Sequence, residues 1–179
     1  MTTTLSSKAL NQLAVAVADN TTNDEVRDLL DGSKVPHRPI ITVTDATATL
    51  TAAQSGSLVV LDRAAGIVVT LPEANADNVG WYCDFVIKTT VSGSNVLSID
   101  ASRAADLYYG HLNLEVVNAS TGKIFFPDQS DDDKIVMGGS DATTGKMVGG
   151  YFRVEIAAAN MLVVNGTLQA AAACATPFA

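Results

Sequence analysis

From residue 40 onward the chain reads as short apolar or alternating runs separated by turn formers, the mark of strands in a β-rich domain. The runs fall at 40–43, 47–51, 58–61, 67–71, 81–88, 96–99, 112–117, 134–137, 151–157 and 161–165. The clearest is WYCDFVIK, in which Trp81, Cys83, Phe85 and Ile87 share one face while Tyr82, Asp84 and Lys88 take the other. YFRVEI repeats the logic, with Phe152, Val154 and Ile156 inward and Arg153 and Glu155 outward. RAAG after Leu61, TTVSGSN after Lys88 and AAAN before Met161 are short connections that leave no room for crossover helices. They therefore predict hairpins and an antiparallel sheet, closed as a barrel or stacked as a sandwich.

The first 38 residues follow a different period. Ser6 or Ser7 can cap a helix carrying Leu10, Leu13 and Val17 on one face, ending near Asp19 and Asn20. Thr22 with Glu25 forms a capping-box pattern, and Val26, Leu29 and Leu30 line a second helix stopped by Gly32. Helices of two or three turns are marginal alone in water, so these stripes must pack on something. Pro36 and Pro39 mark a linker. The expected organisation is a helical arm and linker over 1–38, followed by a β-rich domain over 39–179.

Composition narrows the classes. The 179 residues are 47% apolar and 17% charged, enough for one domain burying roughly 70% of its unfolded surface. A net charge of −8 with only 11 Lys and Arg argues against nucleic acid as a partner. No run approaches the roughly 20 apolar residues of a membrane span, and MTTTLSSKAL lacks the layout of a signal peptide, which predicts synthesis in a cytoplasm. Cys83 and Cys174 are expected to be reduced and partly buried, and the GGSDATTGKMVGG stretch at 138–150 to be an exposed loop or flap.

Candidate chemistry is sparse. His37 and His111 are isolated, and the sequence carries no nucleophile-elbow, P-loop, HExxH or CxxC pattern, so no catalytic, cofactor or metal role is expected. Asp128, Asp131, Asp132 and Asp133 put four carboxylates within six residues, but their spacing is not that of an EF-hand, and a solvated loop is the expectation.

Three stretches carry a resemblance: LTAAQSGSLVVLDRAAGIVVTLPEA at 50–74 with WYCDFVI at 81–87, DKIVMGGSDATTGKMVGGYFRVEI at 133–156, and the closing ATPFA. Their wording is similar to that of structural proteins of tailed bacteriophages, most of all head decoration, or cement, proteins. The resemblance implies a small non-enzymatic virion subunit, commonly a homotrimer. It would be made in the host cytoplasm and sit on the outer capsid surface where major capsid protein subunits meet. The contacts it would use to reach the lattice or its sister subunits are the arm residues Leu5, Leu10, Leu13, Val17, Val26, Leu29 and Leu30, with Phe178 at the far end as a plug. A phage fibre or tail module would show repeats or a long coiled coil, and this chain shows neither. A carbohydrate-binding β-sandwich would expose aromatics for stacking, for which Trp81, Tyr82, Tyr108 and Tyr109 are the candidates.

Overall fold

The computed structural model describes residues 38–138 and 142–179, within a compact unit running from Arg38 to Ala179. The arm and its contact candidates Leu5, Leu10, Leu13, Val17, Val26, Leu29 and Leu30, with His37, lie outside the described residues. Eleven strands are described: β1 (Ile40–Val43), β2 (Thr47–Thr49), β3 (Leu58–Leu61), β4 (Ile67–Thr70), β5 (Tyr82–Ile87), β6 (Val96–Asp100), β7 (Leu107–Val116), β8 (Gly122–Phe125), β9 (Lys134–Gly138), β10 (Tyr151–Ala158) and β11 (Met161–Ala170). They form two open sheets, one of seven strands in the order β1-β3-β5-β10-β11-β7-β8 and one of four in the order β2-β4-β6-β9.

The β class expected from the pattern holds, but the antiparallel expectation does not. Both sheets are mixed, and neither closes into a barrel. From β1 to β6 each successive strand joins the other sheet, so β1, β3 and β5 pair in parallel in one sheet while β2, β4 and β6 pair in parallel in the other. A parallel pair needs a crossover, and here a strand in the facing sheet supplies it in place of a helix. The short RAAG and TTVSGSN connections therefore step between sheets; of the three, only AAAN closes a hairpin, between β10 and β11.

Gly66 shows how tight such a step is. Its φ is +85°, and a Cβ there would collide with the carbonyl oxygen of Val96, so the turn into β4 admits glycine and strains any L side chain.

One hydrophobic core serves both sheets. Cys83, Phe85, Ile87, Phe152, Val154 and Ile156 from the large sheet share it with Ile67, Val69, Leu97, Ile99, Ile135 and Met137 from the small one. Phe85 and Phe152, directly paired across β5 and β10, stack with ring centroids 5.1 Å apart. Trp81 is buried and donates its indole N–H to the Thr51 carbonyl at 3.1 Å.

Two stretches pack more closely than the sequence suggests. Within 142–150, expected to be exposed loop, Gly145, Lys146 and Gly150 are buried, and the Lys146 ammonium donates to the Gly93 carbonyl at 2.6 Å. The C-terminal tail lies along β9, where Lys134 and Ala179 exchange backbone hydrogen bonds and Val136 donates to the Pro177 carbonyl. It extends the small sheet by a short antiparallel bridge at Ile135 and Phe178.

Candidate functional site

Alternation gives the large sheet an outer face, turned away from the core, and that face carries a polar cluster centred on Asp84. Asp84 lies on it, as its place in β5 predicts, yet its side chain is only 1% exposed because two arginines cover it. Arg153, its register partner on β10, makes a two-pronged contact at 2.7 and 3.0 Å. Arg38 reaches it from the start of β1 at 2.5 Å and donates to the Gly56 and Ser57 carbonyls at 2.9 and 2.6 Å. The Arg153 guanidinium also lies 4.7 Å over the Tyr82 ring. Hydrogen bonding to Arg153 outweighs burial and holds the Asp84 carboxyl down to about 2, while the same contact raises the Arg153 pKa. A carboxylate so fully paired is a poor acid or base near neutrality and a good clasp: it joins β1, β5 and β10 across the face.

A second clasp works among the connections between strands. Buried Asp106 accepts the Ala74 N–H at 3.1 Å and pairs with Arg103 at 2.8 Å. Arg103 also meets Glu73 at 2.7 Å and the Asn160 side chain at 2.9 Å, tying three connections together.

The acidic run behaves as a self-closed loop. Asp128, Asp131 and Asp132 bring one carboxylate oxygen each within 4.8 Å of one another. Asp128 accepts the N–H and hydroxyl of Ser130, both at 2.8 Å, and Asp132 accepts the Asp128 N–H at 2.6 Å. These bonds, the Ser130 N–H first, hold the Asp128 carboxyl below its usual range. Asp133 stands apart, 3.9 Å from the Lys134 ammonium.

The remaining candidates are dispersed. Cys83 and Cys174 are free thiols donating to the Gln54 and Leu114 carbonyls, and burial pushes Cys83 up to about 11. His111 sits on the outer face beside Phe126, with ring centroids 5.9 Å apart. Among the aromatics weighed for sugar stacking, Trp81 and Tyr108 are buried, and the Tyr108 hydroxyl donates to the Ile99 carbonyl at 3.1 Å. Tyr108 and Tyr109 therefore point to opposite faces and form no exposed pair. Phe178, expected to be a plug for a neighbour, is instead 6% exposed in its own core, 6.5 Å from the Tyr108 ring.

Two of the described concavities are open and polar. One is lined by Glu115, Asn118, Ser120 and Gln169, and another by Ser55, Asp77, Asn78 and Trp81. Among the described residues no helix is long and apolar enough to cross a membrane.

Sequence reasoning missed the sheet edges. Large apolar side chains are most exposed at Phe126 (68%), Ile40 (66%) and Ile124 (58%), all three at the two margins of the large sheet. The strand at Gly122–Phe125 was not foreseen, although Asn118 to Gly122 is turn chemistry between two apolar runs and Asn118 takes a φ of +62°. The chain matches no protein-family model, no curated protein and no solved structure.

Proposed function

We propose that this chain is a virion structural subunit that binds the outer lattice of a tailed-phage head and stabilises it, a decoration or cement protein without enzymatic activity. It would assemble as a homotrimer on the major capsid protein, at the outer capsid surface. The observation that carries this reading is the phage-like wording at 50–74, 81–87 and 133–156 with the closing ATPFA. Those stretches supply much of the framework, since β3, β4, β5, β9, β10 and the tail against β9 are drawn from them. The role assigned to the ionisable groups also supports it: Asp84 and Asp106, the two aspartates buried among the described residues, are bound to arginines that clasp strands and connections.

A subunit of this kind works by many repeated weak contacts. Three arms brought to one lattice site raise each other's effective concentration, so modest contacts per arm hold tightly together. The apolar stripes at Leu5, Leu10, Leu13, Val17, Val26, Leu29 and Leu30 would supply them. The test is co-sedimentation of the full chain, and of the chain lacking residues 1–38, with undecorated heads. Saturable binding lost on removing the arm is expected; a full chain that ignores heads overturns the reading.

A further inference from the structure

We propose that the large sheet continues from one copy of this chain to the next, with β8 of one copy pairing antiparallel to β1 of its neighbour. The inference names the self-contact that the homotrimer above requires, and rests on that reading only for the number of copies.

The two strands are the margins of one sheet, each paired on a single side among the described residues. Open margins that stay unpaired are ordinarily blunted by charge, proline or a bulge. These two are short, β8 carries Lys123, and Pro39 and Pro127 flank them, yet they also carry the three most exposed large apolar side chains described, Ile40 on β1 and Ile124 and Phe126 on and just after β8. The core is also unfinished at both limits. Ile41 and Phe125 point inward and pack on it, but each is only partly buried. One margin ends where the other could begin.

Direction and register follow from the pairings. β1, β3 and β5 run together, β10 opposes β5, β11 opposes β10, β7 runs with β11, and β8 opposes β7. β8 therefore runs against β1, and in a ring whose axis lies along the strands the meeting margins are antiparallel. Setting Phe126 opposite Ile40 puts Phe125 opposite Ile41, Ile124 opposite Thr42 and Lys123 opposite Val43. Outward residues then face outward ones and inward residues inward ones, a match that a one-residue slip would destroy. Pro39 and Pro127 fall opposite each other at the end of this ladder. The register also brings Lys123 diagonal to Asp45, within reach of a long side chain, and neither belongs to an ion pair among the described residues.

A contact between unlike margins is heterologous, so it closes a ring when the rotation allows. A four-residue ladder is smaller than the roughly 1,200 Å² of a standard interface, and a single contact is accordingly weak. Ring closure engages both margins of every copy.

The test uses the full chain with Cys174→Ser. Thr42→Cys with Ile124→Cys together should give interchain disulfides under mild oxidation, while neither substitution alone should. Phe126→Lys alone and Ile40→Lys alone should each lower the mass in sedimentation to that of one copy, with the thermal midpoint unchanged. Monomeric full chain at every concentration, unchanged mass in both lysine variants, or cross-linking by Ile124→Cys alone, which would mean a symmetric β8 pair, each overturns the inference. Head binding separates the two proposals: cross-links without head binding defeat the decoration reading and leave this interface standing. Head binding by a chain that forms no cross-link does the reverse.

Discussion

The stretch from β1 to β6 and the stretch from β7 to β11 use connections of similar length, yet they build sheets by different rules. In the first, every strand changes sheet and like pairs with like in parallel; in the second, β7 with β8 and β10 with β11 are hairpins, and β9 alone crosses to the small sheet. Within the first stretch β3 and β4, which pair only in parallel, read as near-continuous apolar runs, LVVL and IVVT, whereas β5 and β10, which pair antiparallel with each other, alternate as YCDFVI and YFRVEIAA. Continuous runs are the habit of parallel strands, and alternation that of antiparallel ones with one wet face. Loop length was therefore the weaker guide to topology, and strand texture the better one.

The two stretches meet side by side where β5 pairs with β10 and where β6 pairs with β9, and the largest effect is expected at the first, where two buried rings stack. Phe85→Ala removes a fully buried ring stacked on Phe152 and should cost about 3–5 kcal/mol in denaturant unfolding. A single cooperative transition at lower midpoint is expected, because both stretches share one core. Two separate transitions would show instead that the stretches fold independently.

Next in size is a break confined to the first stretch. Gly66→Ala forces an L residue to a φ of +85° and drives its Cβ into the Val96 backbone, which should cost about 2–4 kcal/mol. Gly93 is the control, with a φ of +56° but open space around its missing Cβ. Gly93→Ala should shift the midpoint by much less. Equal shifts would mean that backbone strain alone, rather than the close approach between β3–β4 and β6, sets the cost.

The seam itself can be weakened without disturbing the core. Asp84→Asn leaves the shape of the outer face but removes the charge that Arg38 and Arg153 share, and should cost about 1–3 kcal/mol. The folded carboxyl is held at about 2, below its ordinary 3.8. Its stabilisation is therefore complete above 3.8 and is lost as the pH falls toward 2. Stability measured over that window should fall more steeply in the parent than in the asparagine variant, and parallel curves would refute the clasp.

Much of this was legible in the residues. The inward set of β5 and β10 follows from alternation, and nine of the ten expected runs begin within one residue of a strand. The exception is β7, expected from 112, which begins at Leu107 because Tyr108 turns inward beyond a positive-φ Gly110 that interrupts the pattern. Asp84 was rightly placed on the outer face, but its burial depends on Arg38 and Arg153, distant in sequence, and on no local signal. Phe178 failed for the same reason: its partner strand β9 lies some forty residues upstream, and proximity of that kind is a property of topology rather than of the tail. The margins at Ile40 and Phe126 became visible only once strand order was known.

The smallest effect should come from the other strand-to-strand aspartate pair. Lys88 meets Asp62 at 2.6 Å, as close as Arg153 meets Asp84, and the contact likewise lowers the Asp62 carboxyl. The Lys88 side chain, however, is 60% exposed, and the pair lies wholly within the first stretch. Water and salt screen such a contact, and ordering a long lysine side chain offsets part of its attraction. Lys88→Ala should leave the unfolding midpoint at ordinary salt within measurement error, with a small loss emerging only at low ionic strength. If it destabilises the protein as much as Asp84→Asn, distance rather than burial governs these pairs, and the seam between β5 and β10 has no special standing over a contact at its rim.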